Sequence, residues 1–170
     1  MDFELKKWKP DYASGIVKYA GNPKIAQNLT DGFPKNFDLE TARSFVEACV
    51  RQEGKTQCSR AIVIGEEAVG NLAVFFGEEN YRRSGKIAYW LGEPFWRQGI
   101  MSSAISQFSR YIFQNYDIVR ISAEPFDYNT GSQKALEKAG YKLEGILKKS
   151  VYKDNRIFDS CLYALTKDDC

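Results

Sequence analysis

The stretch "SRAIVIGEEAVGNLAVFFGE", Ser59 to Glu78, limits what this chain can fold into more than any other segment. It reads as two strands joined by a tight turn at Gly65 to Glu67, and "KIAYWLG" supplies a third strand shortly afterwards. Connections this short join antiparallel neighbours, so the middle of the chain commits to a sheet.

The flanking segments supply the helices. A short strand near Phe3 to Lys7 is followed by a helix to about Ala20, with Asp11 as its expected N-cap and "GNP" at Gly21 to Pro23 as its breaker. Asp38 is placed to cap a second helix, which sets Ala42, Phe45, Val46, Cys49 and Val50 on one face up to about Gln52. After the three central strands, Ile100, Ala104, Phe108, Tyr111 and Ile112 recur at helical spacing up to about Asn115.

"DIVRISAEP" predicts a strand with Val119, Ile121 and Ala123 on one face and Arg120, Ser122 and Glu124 on the other. A last helix from about Thr130 should end at Gly140 in a left-handed conformation, with Tyr141 as the hydrophobic partner of the cap. The tail predicts a hairpin turning at Asp154 and Asn155. This order implies an α/β fold in one continuous domain over residues 1–170, with a mixed sheet.

Composition narrows function by exclusion. The net charge is +2, with 24 basic residues scattered among 22 acidic ones, so no polynucleotide partner is expected. No signal-peptide pattern or membrane-length apolar run is present, which predicts a cytoplasmic protein without a membrane partner. Cys49, Cys58, Cys161 and Cys170 form no CxxC pair, which suits reduced thiols better than a disulfide frame or a zinc site. The chain contains no histidine, which removes His-based triads, His-assisted metal sites and His proton shuttles together. No metal is expected, and any proton chemistry must rest on carboxylates, hydroxyls, thiols, amines or water.

The segment "EPFWRQGIMSSAI" places a glycine and small hydroxyl residues where a helix begins. A helix start offers unpaired N–H groups and about half a positive charge, a setting that holds phosphate or pyrophosphate when side chains keep clear. Gly99 allows close approach, and Ser102 and Ser103 add small donors. The segment contains neither a GxxxxGK[ST] nor a GxGxxG pattern.

The succession "IAYWLGEPFWRQGIMSSAI", "ISAEPFDYNTGSQKALEKAGYKLEGIL" and "DNRIFDSCLYAL" resembles the GNAT superfamily of acetyl-CoA-dependent N-acetyltransferases, specifically the branch that acetylates ribosomal-protein N-termini. "LTDGFPKNFDLETARSFVE" is similar to that branch's acceptor-side loop and helix, with Phe33 and Pro34 as its marks. The resemblance implies a single domain whose mostly antiparallel, twisted sheet contains two parallel strands splayed apart, here ending near Leu91 and Glu124. Gly99 matches the first glycine of the family's Q/R-x-x-G-x-G/A signature. Trp96 stands in place of the Gln or Arg, and Met101 in place of the second small residue.

By that resemblance the amides of Arg97, Gln98, Gly99, Ile100, Met101 and Ser102 would hold the CoA pyrophosphate. Tyr89, Trp90 and Leu91 would line the pantetheine cleft, and Asn129 and Ser132 would stand against the pantetheine arm and its sulfur. Phe33, Pro34, Tyr89 and Glu124 would meet the acceptor.

Acetyl transfer to an amine needs that amine neutral. A lysine-like amine costs roughly 4 to 5 kcal/mol to deprotonate at pH 7, whereas an α-amine costs about 1 kcal/mol. Glu124, five residues before Asn129, matches the branch's catalytic glutamate and is the expected base, acting directly or through water. Many relatives carry a tyrosine acid seven residues beyond the asparagine. Leu136 stands there in this chain, and Ser132 is the expected substitute donor to the leaving sulfur.

The activity this implies is direct acetyl transfer to a primary amine, foremost a protein N-terminal α-amine. A polyamine or antibiotic acceptor, and a regulatory CoA-binding domain without catalysis, stand as alternatives. A monomer and a homodimer are both compatible with the sequence.

Overall fold

The computed structural model describes residues 1–170. Seven strands form one sheet in the order β1-β2-β3-β4-β5-β7-β6. They are β1 (Glu4–Lys6), β2 (Gln57–Ile64), β3 (Glu67–Phe76), β4 (Ser84–Leu91), β5 (Arg120–Ala123), β6 (Lys142–Lys153) and β7 (Arg156–Thr166). The helices are α1 (Ala13–Tyr19), α2 (Pro23–Ala26), α3 (Leu39–Gln52), α4 (Ile100–Asn115) and α5 (Thr130–Lys138). All strand pairs are antiparallel except β4 with β5. This is the mixed α/β sheet the sequence implied.

Local signals account for most of the element ends. Asp38 caps α3, its carboxylate accepting from the Thr41 N–H at 2.7 Å. At the end of α5, Gly140 has φ +94°, its N–H donates to Glu137 O, and the Tyr141 N–H donates to Leu136 O. This pair of bonds is a Schellman motif, and both Tyr141 and Leu136 are buried in the same core. Asp154 and Asn155 have φ of +51° and +60°, the two positive values that a two-residue type I′ hairpin turn requires.

Three local expectations fail. Asp11 caps no helix. It lies inside a 3₁₀ turn, Pro10–Tyr12, whose tight hydrogen bonding runs directly into α1. Val50 is 54% exposed, because the face of α3 that meets the sheet is narrower than the apolar periodicity suggested and closes on Ala42, Val46 and Cys49. Val119 lies just before β5 and is exposed, while Ile118 takes the buried position.

The sheet carries one core on each face. On one face α4 and α5 pack Ile105, Phe108, Ile112 and Leu136 against Leu72, Val74, Ile87 and Ile121. On the other, α1 and α3 pack Ile16, Ala42 and Val46 against Ala61, Val63, Ala68 and Trp90. Burying each large aliphatic side chain contributes about 1.5 to 3 kcal/mol, so the two cores hold a helical layer against each face of the sheet.

Candidate active site

Only Ser84, Gly85 and Lys86 of β4 pair with β5, opposite Arg120, Ile121 and Ser122. Beyond Lys86 the two strands part, and β4 runs on to Leu91 with no neighbour on that side. The Gly92 N–H donates to Val69 O on the β3 side, so strand alternation turns the polar main-chain groups of Tyr89 and Leu91 toward the gap. Trp96 Nε1 donates to Leu91 O at 2.7 Å and pins that free edge. The Leu91 N–H is left directed into the opening.

The gap belongs to a cleft of about 1510 Å³ that passes from one face of the sheet to the other. The side chains on its two sides differ. Ser122 and Glu124 follow the face of Lys86, Ala88 and Trp90, toward α1 and α3. Tyr89 lies on the opposite face, where its hydroxyl meets Ser132 Oγ at 2.6 Å from the first turn of α5. Burial pushes the Tyr89 phenol well above its usual range, with the Ser132 hydrogen bond offsetting part of that effect. The phenol is neutral at physiological pH, and either hydroxyl can donate in this bond. Glu124 is partly exposed, with Oε1 3.4 Å from Lys86 Nζ.

The start of α4 is open. Gly99 is its N-cap with φ +76°, and a Cβ placed there would meet nothing within 4 Å. No main-chain N–H from Arg97 to Ser102 donates to a protein acceptor. Ile100 is buried and anchors the helix, Met101 packs against the same core, and the Ser102 hydroxyl donates to Gly99 O at 3.0 Å. Arg97 adopts φ +60°, a left-handed conformation unusual for a residue with a side chain. Arg97, Lys134 and Lys138 line this wall and form no ion pair. Phosphate groups fit such a wall of free amides and free cations.

The sequence-derived candidates largely converge here. Phe33, Pro34, Tyr89, Trp90, Leu91, Arg97, Gly99, Ile100, Met101, Ser102, Glu124, Asn129 and Ser132 all line the cleft. Gln98 does not, because its side chain folds back to donate to Pro94 O at 2.9 Å, leaving only its main-chain N–H available. Asn129 caps α5 by accepting from the Ser132 N–H at 3.2 Å. Trp90 is buried among the α1/α3 core, with its ring centroid 6.4 Å from that of Phe33. Leu136 is fully buried in the α4/α5 core, so Ser132, one turn earlier, is the residue that reaches the cleft.

Sequence reasoning missed Lys134, Lys138 and the tie made by Trp96. The four-residue spacing of the lysines on one helix face was a usable signal, whereas the Trp96 contact depends on the conformation of the turn. Also missed were the contacts that hold the Gln27–Pro34 loop. Lys153, buried at the tip of the β6–β7 hairpin, bonds Asp31 at 3.1 Å, and the Tyr128 hydroxyl donates to Gln27 O.

The acetyltransferase (GNAT) domain family model matches residues 2–142. The chain belongs to the GNAT acetyltransferase family. What it folds into is therefore an acetyl-CoA-dependent N-acetyltransferase domain. It is 24% identical to the uncharacterized N-acetyltransferase YnaD of Bacillus subtilis (strain 168) over 99% of this chain and 92% of that protein. The uncharacterized N-acetyltransferase YoaA of the same organism is 29% identical over 60% of this chain, and the match spans 57% of YoaA.

Among solved structures, RimL, a ribosomal L7/L12 α-N-protein acetyltransferase in complex with coenzyme A, superposes with a TM-score of 0.86. It is 22% identical, with 99% of this chain and 96% of RimL covered. The microcin C7 self-immunity acetyltransferase MccE, in complex with acetyl-CoA and AMP, gives a TM-score of 0.84 at 20% identity, with 97% and 92% covered. At these identities the likeness concerns the fold. No helix is long and apolar enough to cross a membrane.

Proposed function

We propose that this protein transfers the acetyl group of acetyl-CoA to the α-amine of a protein or peptide N-terminus by direct attack, without a covalent enzyme intermediate. One observation carries the reading: the sheet opens between β4 and β5 with Glu124 on one face and the Tyr89–Ser132 pair on the other. A base and an acid are thereby kept on opposite sides of the gap in which an amine and a thioester would meet.

In this reading the amides of residues 97 to 102, with Arg97, Lys134 and Lys138, bind the phosphates of the co-substrate. Acetyl-CoA supplies the activated acyl group as a thioester. Glu124 takes the proton of the amine, directly or through water, a modest demand for an α-amine whose pKa is about 8. The Leu91 N–H stabilises charge on the carbonyl oxygen. With Tyr89 donating to Ser132 Oγ, the serine hydrogen is free to be directed at the departing sulfur.

The acceptor side favours a peptide. Its floor, Ala73, Ala88 and Ser122, is made of small residues and opens at the exposed Phe75 and Lys86. Its two carboxylates, Asp31 and Glu124, each already face a lysine, so no excess negative charge awaits a polycation. Incubation with acetyl-CoA and peptides of varied first residue, read by mass spectrometry and thiol release, tests the proposal. Acetylation at the α-amine is expected. Turnover of polyamines or aminoglycosides in preference to every peptide would transfer the assignment to small amines, and CoA binding without any turnover would remove catalysis.

A further inference from the structure

One buried side-chain polar atom in the chain lacks a partner, and it lies in the wall of this cleft: Trp90 Nε1. Its cross-strand neighbour on β3 is Asn71, a polar residue only 7% exposed. Asn71 Oδ1 accepts from Trp8 Nε1 at 2.9 Å, which fixes the orientation of the amide. The oxygen is thus committed to the core, and Nδ2, which donates to no protein group, is the half left for the cleft that Asn71 lines. Two donors without a protein acceptor therefore occupy paired positions of β3 and β4 on the acceptor face: the indole N–H, sealed in the wall near the Phe33 ring, and the Asn71 amide, which fronts the cleft itself.

A buried donor without a partner is costly, and sites that keep such groups reject molecules unable to complete the bond. Resting on the acetyltransferase reading above, the geometry points to Asn71, with Trp90 beside it, as the specificity element for the acceptor. Asn71 Nδ2 donates to an oxygen of the amine-bearing molecule, so amino-acyl and peptide acceptors, which carry a carbonyl near the amine, are selected over polyamines. A polyamine offers only donors and cations to this corner. Trp8 acts as a positioning residue through Asn71, and entry of the acceptor requires Phe33 to move off the indole.

Asn71→Asp keeps an oxygen for Trp8 Nε1 and exchanges the free donor for an acceptor. In the full-length protein, the ratio of kcat/KM for an N-terminal peptide to that for spermidine should fall about tenfold or more, chiefly through the peptide KM. The KM for acetyl-CoA should hold within about twofold, since phosphate binding lies on the other face. Trp8→Phe, which leaves Asn71 intact but releases its orientation, should lower the same ratio about threefold and decides the matter if the aspartate variant does not fold. An unchanged ratio in the folded variants overturns this inference alone. Wild-type protein that acetylates neither class overturns the acetyltransferase reading, and this inference with it.

Discussion

The two walls of the cleft are built from different materials. On the α4/α5 side the available groups are main-chain amides at a helix start and three unpaired cations. On the α1/α3 side they are side chains, Asn71, Trp90, Phe33 and Glu124, each held by a specific tertiary neighbour. A main-chain wall is insensitive to most substitutions and suits a co-substrate whose phosphates never vary. A side-chain wall can change with the acceptor. On the function proposed above, the fold would carry the shared chemistry, and a few residues of β3, β4 and the Gln27–Pro34 loop the choice of acceptor.

That contrast can be broken by experiment. The largest effect should come from Glu124→Gln on the acceptor side, where loss of the base lowers kcat by about 10² to 10⁴ while acetyl-CoA affinity, measured by calorimetry, stays near wild type. A variant that loses co-substrate affinity in parallel would show the walls to be coupled. Next comes Gly99→Val on the other side. Its backbone is left-handed, so folding stability should drop by about 1 kcal/mol, and the new side chain occupies the open space before the amides. The acetyl-CoA KM should then rise tenfold or more, about 1.4 kcal/mol of lost binding, with the peptide KM little changed.

Ser132→Ala and Tyr89→Phe sharpen the comparison within the α4/α5 wall. If Ser132 reaches the sulfur and Tyr89 acts through it, the alanine variant should slow kcat about tenfold and the phenylalanine variant less. Equal losses would make the two hydroxyls a single unit, and a larger loss from Tyr89→Phe would exchange their roles. The smallest effect is expected from Lys134→Ala and Lys138→Ala. Each should raise the acetyl-CoA KM severalfold at low salt, and the difference should fade as ionic strength passes 0.1 M, where the screening length is about 10 Å. An effect that persists at high salt would indicate a direct, desolvated contact instead.

The legible part of the fold consists of near-neighbour chemistry. Asp38 and Asn129 cap helices because a short polar side chain reaches an N–H three residues on. Gly140 ends α5 and Asp154–Asn155 turns the hairpin because few residues tolerate those dihedrals. Gly99 marked the open helix start for the same reason, and the resemblance of the surrounding segments carried thirteen of the fourteen candidate residues into one cleft. Asp11 failed as a cap because Pro10 began a 3₁₀ turn first, and Val50 failed as core because the helix meets the sheet on a narrower face than its periodicity allowed.

Alone, then, the amino-acid order determined where elements start and stop, which segments form strands, and that the proton chemistry proceeds without histidine. Tertiary structure alone decided that the splayed pair β4 and β5 stays joined for only three residues, that Tyr89 meets Ser132 across 43 positions of chain, and that Trp8 turns the amide of Asn71 toward the cleft across 63. The physical reason is range. Caps and turns are settled by dihedral preferences and atoms a few residues apart, whereas a splayed parallel pair and an oriented buried amide exist only once helices on both faces have fixed the sheet between them.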